Sequence, residues 1–517
     1  MRPPLDGLPF LCTGDAVVLE HAGALLEALG AEVVRVPVLH GPEHARRVAD
    51  VEPLGALDVT GLLAGLRPPF AVVEPAVVDP AAAWAASGAL ALTGRPHEAP
   101  LPVDPCIPAR LLAAGAVVQL LAACRQVELA LDPLALLGER AAIAGFGRQG
   151  ATSVGGNCRL VRAADGWVAL NLARPDDVAV LPALLDAEVA PDAPWPEVAA
   201  AIARRGVAPL EARAALLGLP LAAVPGGGDV ARHAVDHGVL HDAARSPYRF
   251  DGSVAARPRL RPSAAPPVRP VSGVPLVVDL SSLWAGPLAT AILRDAGARV
   301  VKVESVRRPD GARRGPRPFF DLLHHGKESV ALDFGDQADV ALLDRLVRAA
   351  DVVVEGSRPR ALLELGIDAA SVTAAGGTTW ISITGHGRHG DAASRVGFGD
   401  DAAAAGGLVV GDPPCFVADA VADPITGLYA AAVALAALVG GRGQVVDVAL
   451  ARCAAHVAAG ADRRPGGPAA SYAATSGATS PAAPPRARVA PAAAADLGAH
   501  TEQVRRELPA PRPTIRP

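Results

Sequence analysis

Short runs of valine, isoleucine and leucine recur along the second half of the chain, at 276–280, 299–303, 352–354, 380–383 and 445–448. Between some of them lie longer stretches with apolar residues at helical spacing, such as ADVALLDRLVRAAD. A run that is apolar at every position fits a strand covered on both faces. The alternation therefore predicts the α/β class, a parallel sheet flanked by helices.

This pattern occurs twice. Residues 7–36 and 273–303 each pass from an apolar run through small residues into an amphipathic helix, and both end in G-A-x-V-V-[RK]-V. Gly30 and Gly297 stop the helix, and a buried strand comes next, as in a βαβ unit. Farther on, 87–124 parallels 405–438, each with a proline-bearing loop before an alanine-rich helix. The chain reads as two unequal copies of one α/β unit. The first is compressed in its middle, keeping only hints such as Leu57-Asp58-Val59 and Phe70-Ala71-Val72-Val73-Glu74, but it continues into about a hundred residues that the second lacks. The expected boundaries are 1–145 for the first copy, 146–256 for the extra domain, 257–270 for a Pro/Arg-rich linker, 271–461 for the second copy, and 462–517 for a low-complexity tail, disordered until its end.

Composition narrows the function classes. With 48 Lys+Arg against 53 Asp+Glu in 517 residues, the chain has no basic excess for nucleic acid or a membrane surface, and 3% aromatic residues leave little for stacking on bases. Six scattered cysteines without a C-x-x-C pair suggest neither a zinc site nor a disulfide framework, which fits a reduced cytoplasm. The start Met1-Arg2-Pro3-Pro4-Leu5-Asp6 has no apolar core of a secretory signal. The longest apolar run, Ile425 to Val439, is mostly alanine and falls short of the ~20 strongly apolar residues of a membrane span; it reads as a buried helix.

Gly385-His386-Gly387-Arg388-His389-Gly390 has the spacing G-x-G-x-x-G after the strand-like WISIT. The residues after the last glycine are polar and glycine-rich, so a flexible loop is expected in place of a dinucleotide site. His324-His325 and His386 with His389 lack metal-ligand spacing and are expected to be solvated loop histidines; no metal is expected. No G-x-S-x-G nucleophile elbow occurs. Asp423-Pro424 begins the alanine-rich helix. One reading makes Asp423 its N-cap, with Pro424 at the first helical position. The other places a carboxylate nucleophile there, ionised well below neutral pH beside free backbone N–H groups. In the first copy, Ile107 stands opposite Asp423.

The second copy resembles the class III CoA-transferase family, which contains formyl-CoA and carnitine CoA-transferases and alpha-methylacyl-CoA racemases. The resemblance runs in order through VVDLSSLWAGPLAT, GARVVKVE, GKESVALDF, ADVVVEGSRP, ISITGHGRHG, SRVGFGDDAAAAGGL, ADPITGLYAAAVALAAL and GGRGQVVDVALARCA, over about 271–457. Residues 156–256, with Arg162-Ala163-Ala164-Asp165-Gly166-Trp167, are similar to the family's small α+β domain, and LGAHTEQVRRELP to its closing segment. The resemblance implies Rossmann-like parallel sheet units. Members are interlocked homodimers, so two copies in one chain imply an intrachain pseudo-dimer with a single working site, either monomeric or paired again as a homodimer.

The resemblance further implies that Asp423 attacks an acyl-CoA, with the anhydride and aspartyl-CoA thioester passing CoA to a carboxylic acid acceptor, and no permanently bound cofactor. Glycines such as Gly155-Gly156 or Gly406-Gly407 offer oxyanion donors, by composition alone. CoA contacts carry over to Leu283-Trp284-Ala285, Leu332-Asp333-Phe334 and Gly356-Ser357-Arg358. Two basic CoA-binding positions of formyl-CoA transferases fall on Ser305 and Glu364, a departure that Arg307, Arg308, Arg358 or Arg360 lie near enough to offset. Racemases of the family use a G-H-D triplet where this chain has Gly397-Phe398-Gly399, and phenylalanine accepts no proton. A 2-methylacyl-CoA racemase using another base, and a non-catalytic CoA-binding subunit, stand as the alternatives.

Overall fold

The computed structural model describes residues 4–5, 9–14, 16–37, 72–73, 79–190, 192, 194–225, 243–251, 273–441, 443–459 and 481–508. The expected linker at 257–270, Leu57-Asp58-Val59 and most of the low-complexity stretch from 462 lie outside them.

The N-terminal segment contributes a three-stranded sheet of β1 (Pro9–Gly14), β2 (Glu32–Pro37) and β3 (Val72–Val73) in the order β2-β1-β3, with both pairings parallel. The helix Ala16–Ala28 forms the crossover from β1 to β2 and packs on the helix Cys106–Ala123. A second sheet is antiparallel, made of β4 (Cys158–Arg162), β5 (Trp167–Asn171) and β6 (Leu221–Val224). The helices Pro175–Leu185, Trp195–Ile202 and Val207–Leu217 complete this unit around its own core of Val168, Leu170, Leu181, Leu184, Ile202 and Leu210.

The large sheet takes β7 (Arg249–Asp251), β8 (Leu276–Leu280), β9 (Arg299–Ser305), β10 (Glu328–Leu332), β11 (Val352–Glu355), β12 (Thr379–Thr384) and β15 (Val445–Ala449) in the order β10-β9-β8-β11-β12-β15-β7. Six strands are parallel and β7 runs against β15. Numbered within this sheet alone, the parallel strands adopt the doubly wound order 3-2-1-4-5-6. The strand order reverses between β8 and β11, and there the chains leaving the two strand ends part and open a crevice. The short hairpin β13 (Val409–Val410) and β14 (Cys415–Phe416) leads into the helix Ala422–Gly440.

That helix is buried all round, with alanine at seven of its nineteen positions, and packs on Ala285–Asp295, Cys106–Ala123 and Leu450–Ala458. Its small side chains permit close approach. A β-carbon at Gly427 would lie 2.7 Å from the Ala285 carbonyl oxygen and 3.1 Å from Leu288 Cβ. Ala422–Gly440 and Cys106–Ala123 are both long and apolar enough to cross a membrane, and both lie largely buried within the protein.

Three local expectations are corrected. Of the tail, residues 481–508 form an ordered strap: Ala483 N–H bonds the Ala85 carbonyl, Arg488 pairs with Glu139, Ala494 bridges His325, and the helix Thr501–Glu507 packs against β10. His324 and His386 are buried, not solvated, and His324 stacks 4.3 Å from Phe320. The Gly385–Gly390 segment is held in place, Arg388 N–H bonding Asp447 and the Gly385 carbonyl accepting from Ala451.

Candidate active site

The crevice between β8 and β11 holds a cavity of about 250 Å³. Its floor comes from strand ends: Ser281, Ser282 and Leu283 after β8, Gly356, Ser357 and Arg358 after β11, Thr384 and Gly385 after β12, and Leu450 after β15. Asp423 lines it from the first turn of Ala422–Gly440, and Arg174, just before the helix Pro175–Leu185, lines it too. The sequence-predicted residues Asp423, Leu283, Ala285, Gly356, Ser357 and Arg358 thus share one cavity.

The other four do not. Leu332 is buried in the core, Asp333 pairs with Arg307 at 2.9 Å, and Phe334 lines a separate cavity with the helix Gln337–Ala349. Trp284 is also buried, edge-on to Phe319 and beneath the Arg140 guanidinium, 5.2 Å from its ring centre. Of the candidate CoA arginines, Arg307 and Arg360 are paired with Asp333 and Glu364. Arg358 has no ion pair among the described residues.

Leu283 has φ +70°, a left-handed conformation that costs a branched side chain on the order of 1–3 kcal/mol. A buried polar network holds it there. Its N–H donates to Asp310 Oδ1 at 3.0 Å, and Lys302 Nζ donates to Asp310 Oδ2 at 2.9 Å. Lys302 also bonds the Ser281 carbonyl at 2.9 Å, while Lys327 anchors Asp279 and Thr290 below. The loop after β8 is therefore fixed by charge-assisted bonds and does not depend on its own sequence preference.

Asp423 is not the N-cap of its helix. The cap is Val421, Asp423 sits second in the helix, and its N–H is used by the Ala420 carbonyl at 2.9 Å. Ile107 holds the same second position in Cys106–Ala123. The Asp423 side chain is partly accessible on the cavity side and packed by protein elsewhere. Gly399 lies directly against it: a β-carbon there would collide with Asp423 Oδ2 and the Ala420 carbonyl.

Around Asp423 the sequence reading missed a carboxylate cluster. Asp400 and Asp401 open the helix Gly399–Ala405, and Asp419 precedes the Asp423 helix. Asp401 Oδ1 accepts from Asn171 Nδ2 of the small domain at 3.0 Å and from Phe398 N–H at 3.0 Å. Arg140 grips Asp419 with two donors, Nε at 2.9 Å. Burial is the main cause that pushes Asp423 up to about 7; Arg140 opposes it, and Asp400, Asp401 and Asp419 reinforce it. Burial likewise raises Asp400 to about 6 and Asp401 to about 7. The expectation of a carboxylate ionised far below neutral pH fails, because desolvation and like charges outweigh one guanidinium.

One further reading is corrected. Gly406 and Gly407 donate their N–H groups to Ala402 and Ala404 within the helix end, and Gly156 donates to Ser153, so these three N–H groups are already occupied. Phe398 stands on the cavity wall beside Asp423, where it offers no base. The signal that could have exposed the cluster is the acid pair Asp400-Asp401 inside an alanine-rich stretch; nothing near Arg140 pointed to it.

Residues 272–490 match the family described as CoA-transferase family III. Among curated proteins, the chain is 33% identical to succinate–glutarate CoA-transferase of Agrobacterium fabrum over 35% of this chain and 51% of that one. It is 32% identical to succinyl-CoA–D-citramalate CoA-transferase of Chloroflexus aurantiacus, covering 36% and 51%. It is also 32% identical to human succinyl-CoA:glutarate CoA-transferase, covering 37% and 48%. The chain thus spans about half the length of the curated relatives it matches. Among solved structures, a CaiB/BaiF family protein from Brucella suis is 32% identical over 42% of this chain and 60% of that one, with a TM-score of 0.35.

Proposed function

We propose, from a segment at 272–490 that carries the CoA-transferase family III match, that the protein moves CoA from an acyl-CoA donor to a carboxylic acid acceptor, with Asp423 as nucleophile. The observation that carries this reading is that Asp423 opens onto the cavity between the ends of β8 and β11, which Arg174 also lines. In this scheme an Asp423 oxygen attacks the thioester carbonyl carbon, the C–S bond breaks and CoA leaves as thiolate. The resulting mixed anhydride is attacked by that thiolate at the Asp423 carbonyl carbon, releasing the donor acid and leaving an aspartyl-CoA thioester. The acceptor carboxylate displaces the thiolate from Asp423, and the thiolate then takes the acceptor's acyl group. Asp423 returns as a carboxylate. Each step exchanges one activated acyl bond for another.

Leu283, Ala285, Gly356, Ser357 and Arg358 are the residues proposed to receive CoA, with Arg358 as an open cation for phosphate. A racemase reading is weakened by Phe398, which occupies the wall where a proton acceptor is needed. The shared strand order of β2-β1-β3 and β9-β8-β11, with Ile107 matching Asp423, supports an intrachain pseudo-dimer in which only the second copy carries the nucleophile.

The test is trapping. Incubation with an acyl-CoA and hydroxylamine, then peptide mass spectrometry, is expected to give a hydroxamate at Asp423 and none in Asp423→Asn. Absence of label in the wild type, or label at another carboxylate, would remove the basis of the proposal.

A further inference from the structure

The turn that delivers Asp423 to the cavity is strained, and the groups that hold it come largely from the other half of the chain. Ala418 has φ +49° and Ala420 φ +42°, so two alanines within three residues occupy the left-handed region, each at a cost of roughly 1–2 kcal/mol. Such a conformation persists only where its surroundings over-determine it. Here Ala418 N–H donates to Thr93 Oγ1 at 3.1 Å, and Thr93 is fully buried and itself bonds the Ala89 carbonyl at 2.8 Å. Asp419, also fully buried, is gripped by Arg140. Ala420 N–H donates to Asp400 Oδ1 at 3.1 Å. Just before the turn, Phe416 N–H bonds the Gly150 carbonyl at 2.9 Å and the Pro413 carbonyl accepts from Arg95 at 2.8 Å.

We infer that Thr93 and Arg140, from the copy that lacks a nucleophile, are positioning residues for Asp423: they clamp the Ala418–Ala420 turn, and Arg140 supplies the one guanidinium that offsets the surrounding carboxylates. This inference rests on Asp423 being the nucleophile. Arg140 is well placed for both tasks. Its guanidinium is fixed over Trp284, whose neighbour Leu283 lines the cavity, and it lies 3.3 Å from where a β-carbon at Gly155 would stand, so the backbone there closes over it. The charged groups facing Asp423 are Arg140 from the helix Glu139–Ala144, Asp400 and Asp401 from Gly399–Ala405, and Asp419 from the turn, with Arg174 also lining the cavity. Losing Arg140 leaves four carboxylates with no cation inside the cluster.

The experiment measures the rate of hydroxamate formation at Asp423 from acetyl-CoA between pH 5.5 and 9 in the full-length chain, for the wild type, Arg140→Gln, Arg140→Lys, Thr93→Val and Asp423→Asn. Arg140→Gln is expected to slow labelling by about tenfold or more at pH 7 and to move its pH midpoint upward by about one unit. Arg140→Lys keeps the charge but loses the two-donor grip, so the midpoint stays and the rate falls. Thr93→Val, of matching shape, lowers the rate without moving the midpoint, and stands as the test if Arg140→Gln does not fold. Labelling at an unchanged rate and midpoint in the folded variants at 93 and 140, with Asp423→Asn unlabelled, would overturn the positioning role alone. Undiminished labelling in Asp423→Asn would overturn the nucleophile assignment and this inference together.

Discussion

The carboxyl of Asp423 loses most of its water when the chain folds and meets three other carboxylates against a single guanidinium, which is why its pKa climbs to about 7. Two consequences have defined signs. As a nucleophile it acts ionised, so acyl-enzyme formation is expected to rise as pH increases through about 7 and to level off above it. For stability the sign reverses. A carboxyl whose folded pKa exceeds its unfolded value of about 3.9 penalises the folded state above pH 7, and the penalty fades as pH falls toward 4. Asp423→Asn is therefore expected to raise the unfolding temperature at pH 8, by a gain on the order of 1–3 kcal/mol, and to lose most of that advantage at pH 5. Thermal unfolding at the two pH values checks it; an unchanged or lower transition at pH 8 contradicts the picture. Asp423 itself was legible because an acid with proline right after it opens an alanine-rich run. Its protonation was not, since Asp400, Asp419 and Arg140 converge on it only in three dimensions.

Among the elements, the helix Ala422–Gly440 couples stability to the site, because the face that buries its alanines also fixes the direction of its first turn. Gly427 is where it crosses Ala285–Asp295 most closely. Gly427→Val is expected to push the helices apart and to destabilise by about 2–3 kcal/mol, read as a lower unfolding temperature with reduced trapping at Asp423. The strands β8, β9, β11, β12 and β15 were legible to within two residues at either end, because each is covered on both faces and so carries a cluster of Val, Ile, Leu or Trp residues. No apolar run announces β10 or β7. Glu328-Ser329-Val330-Ala331-Leu332 lies at the sheet edge beneath the C-terminal strap, and its polar residues bond that strap; Arg249-Phe250-Asp251 is three residues long. Edge strands finish their hydrogen bonding with distant partners, and local composition does not record those.

At the scale of the whole molecule, the strap of residues 481–508 runs from Ala85 and Glu139 to β10 of the large sheet. Arg488 reaches Glu139, which is almost completely buried and adjacent to Arg140. Arg488→Ala would leave that carboxylate without its charged partner, and a loss of about 3 kcal/mol is expected in chemical denaturation; an unchanged midpoint would show that Glu139 finds solvent instead. The repeated strand–helix–strand order was legible, whereas the contacts that join residues 79–190 to the large-sheet region were not, because Thr93, Arg140 and Arg488 look ordinary where they stand in the sequence. β7 adds a topological consequence. This strand precedes residues 257–270 in the chain yet forms the last rung of the sheet built after them, bonded to β15. A single cut between 251 and 273 would thus yield two fragments stitched together along a shared ladder, a polypeptide whose integrity as a particle outlasts its covalent continuity.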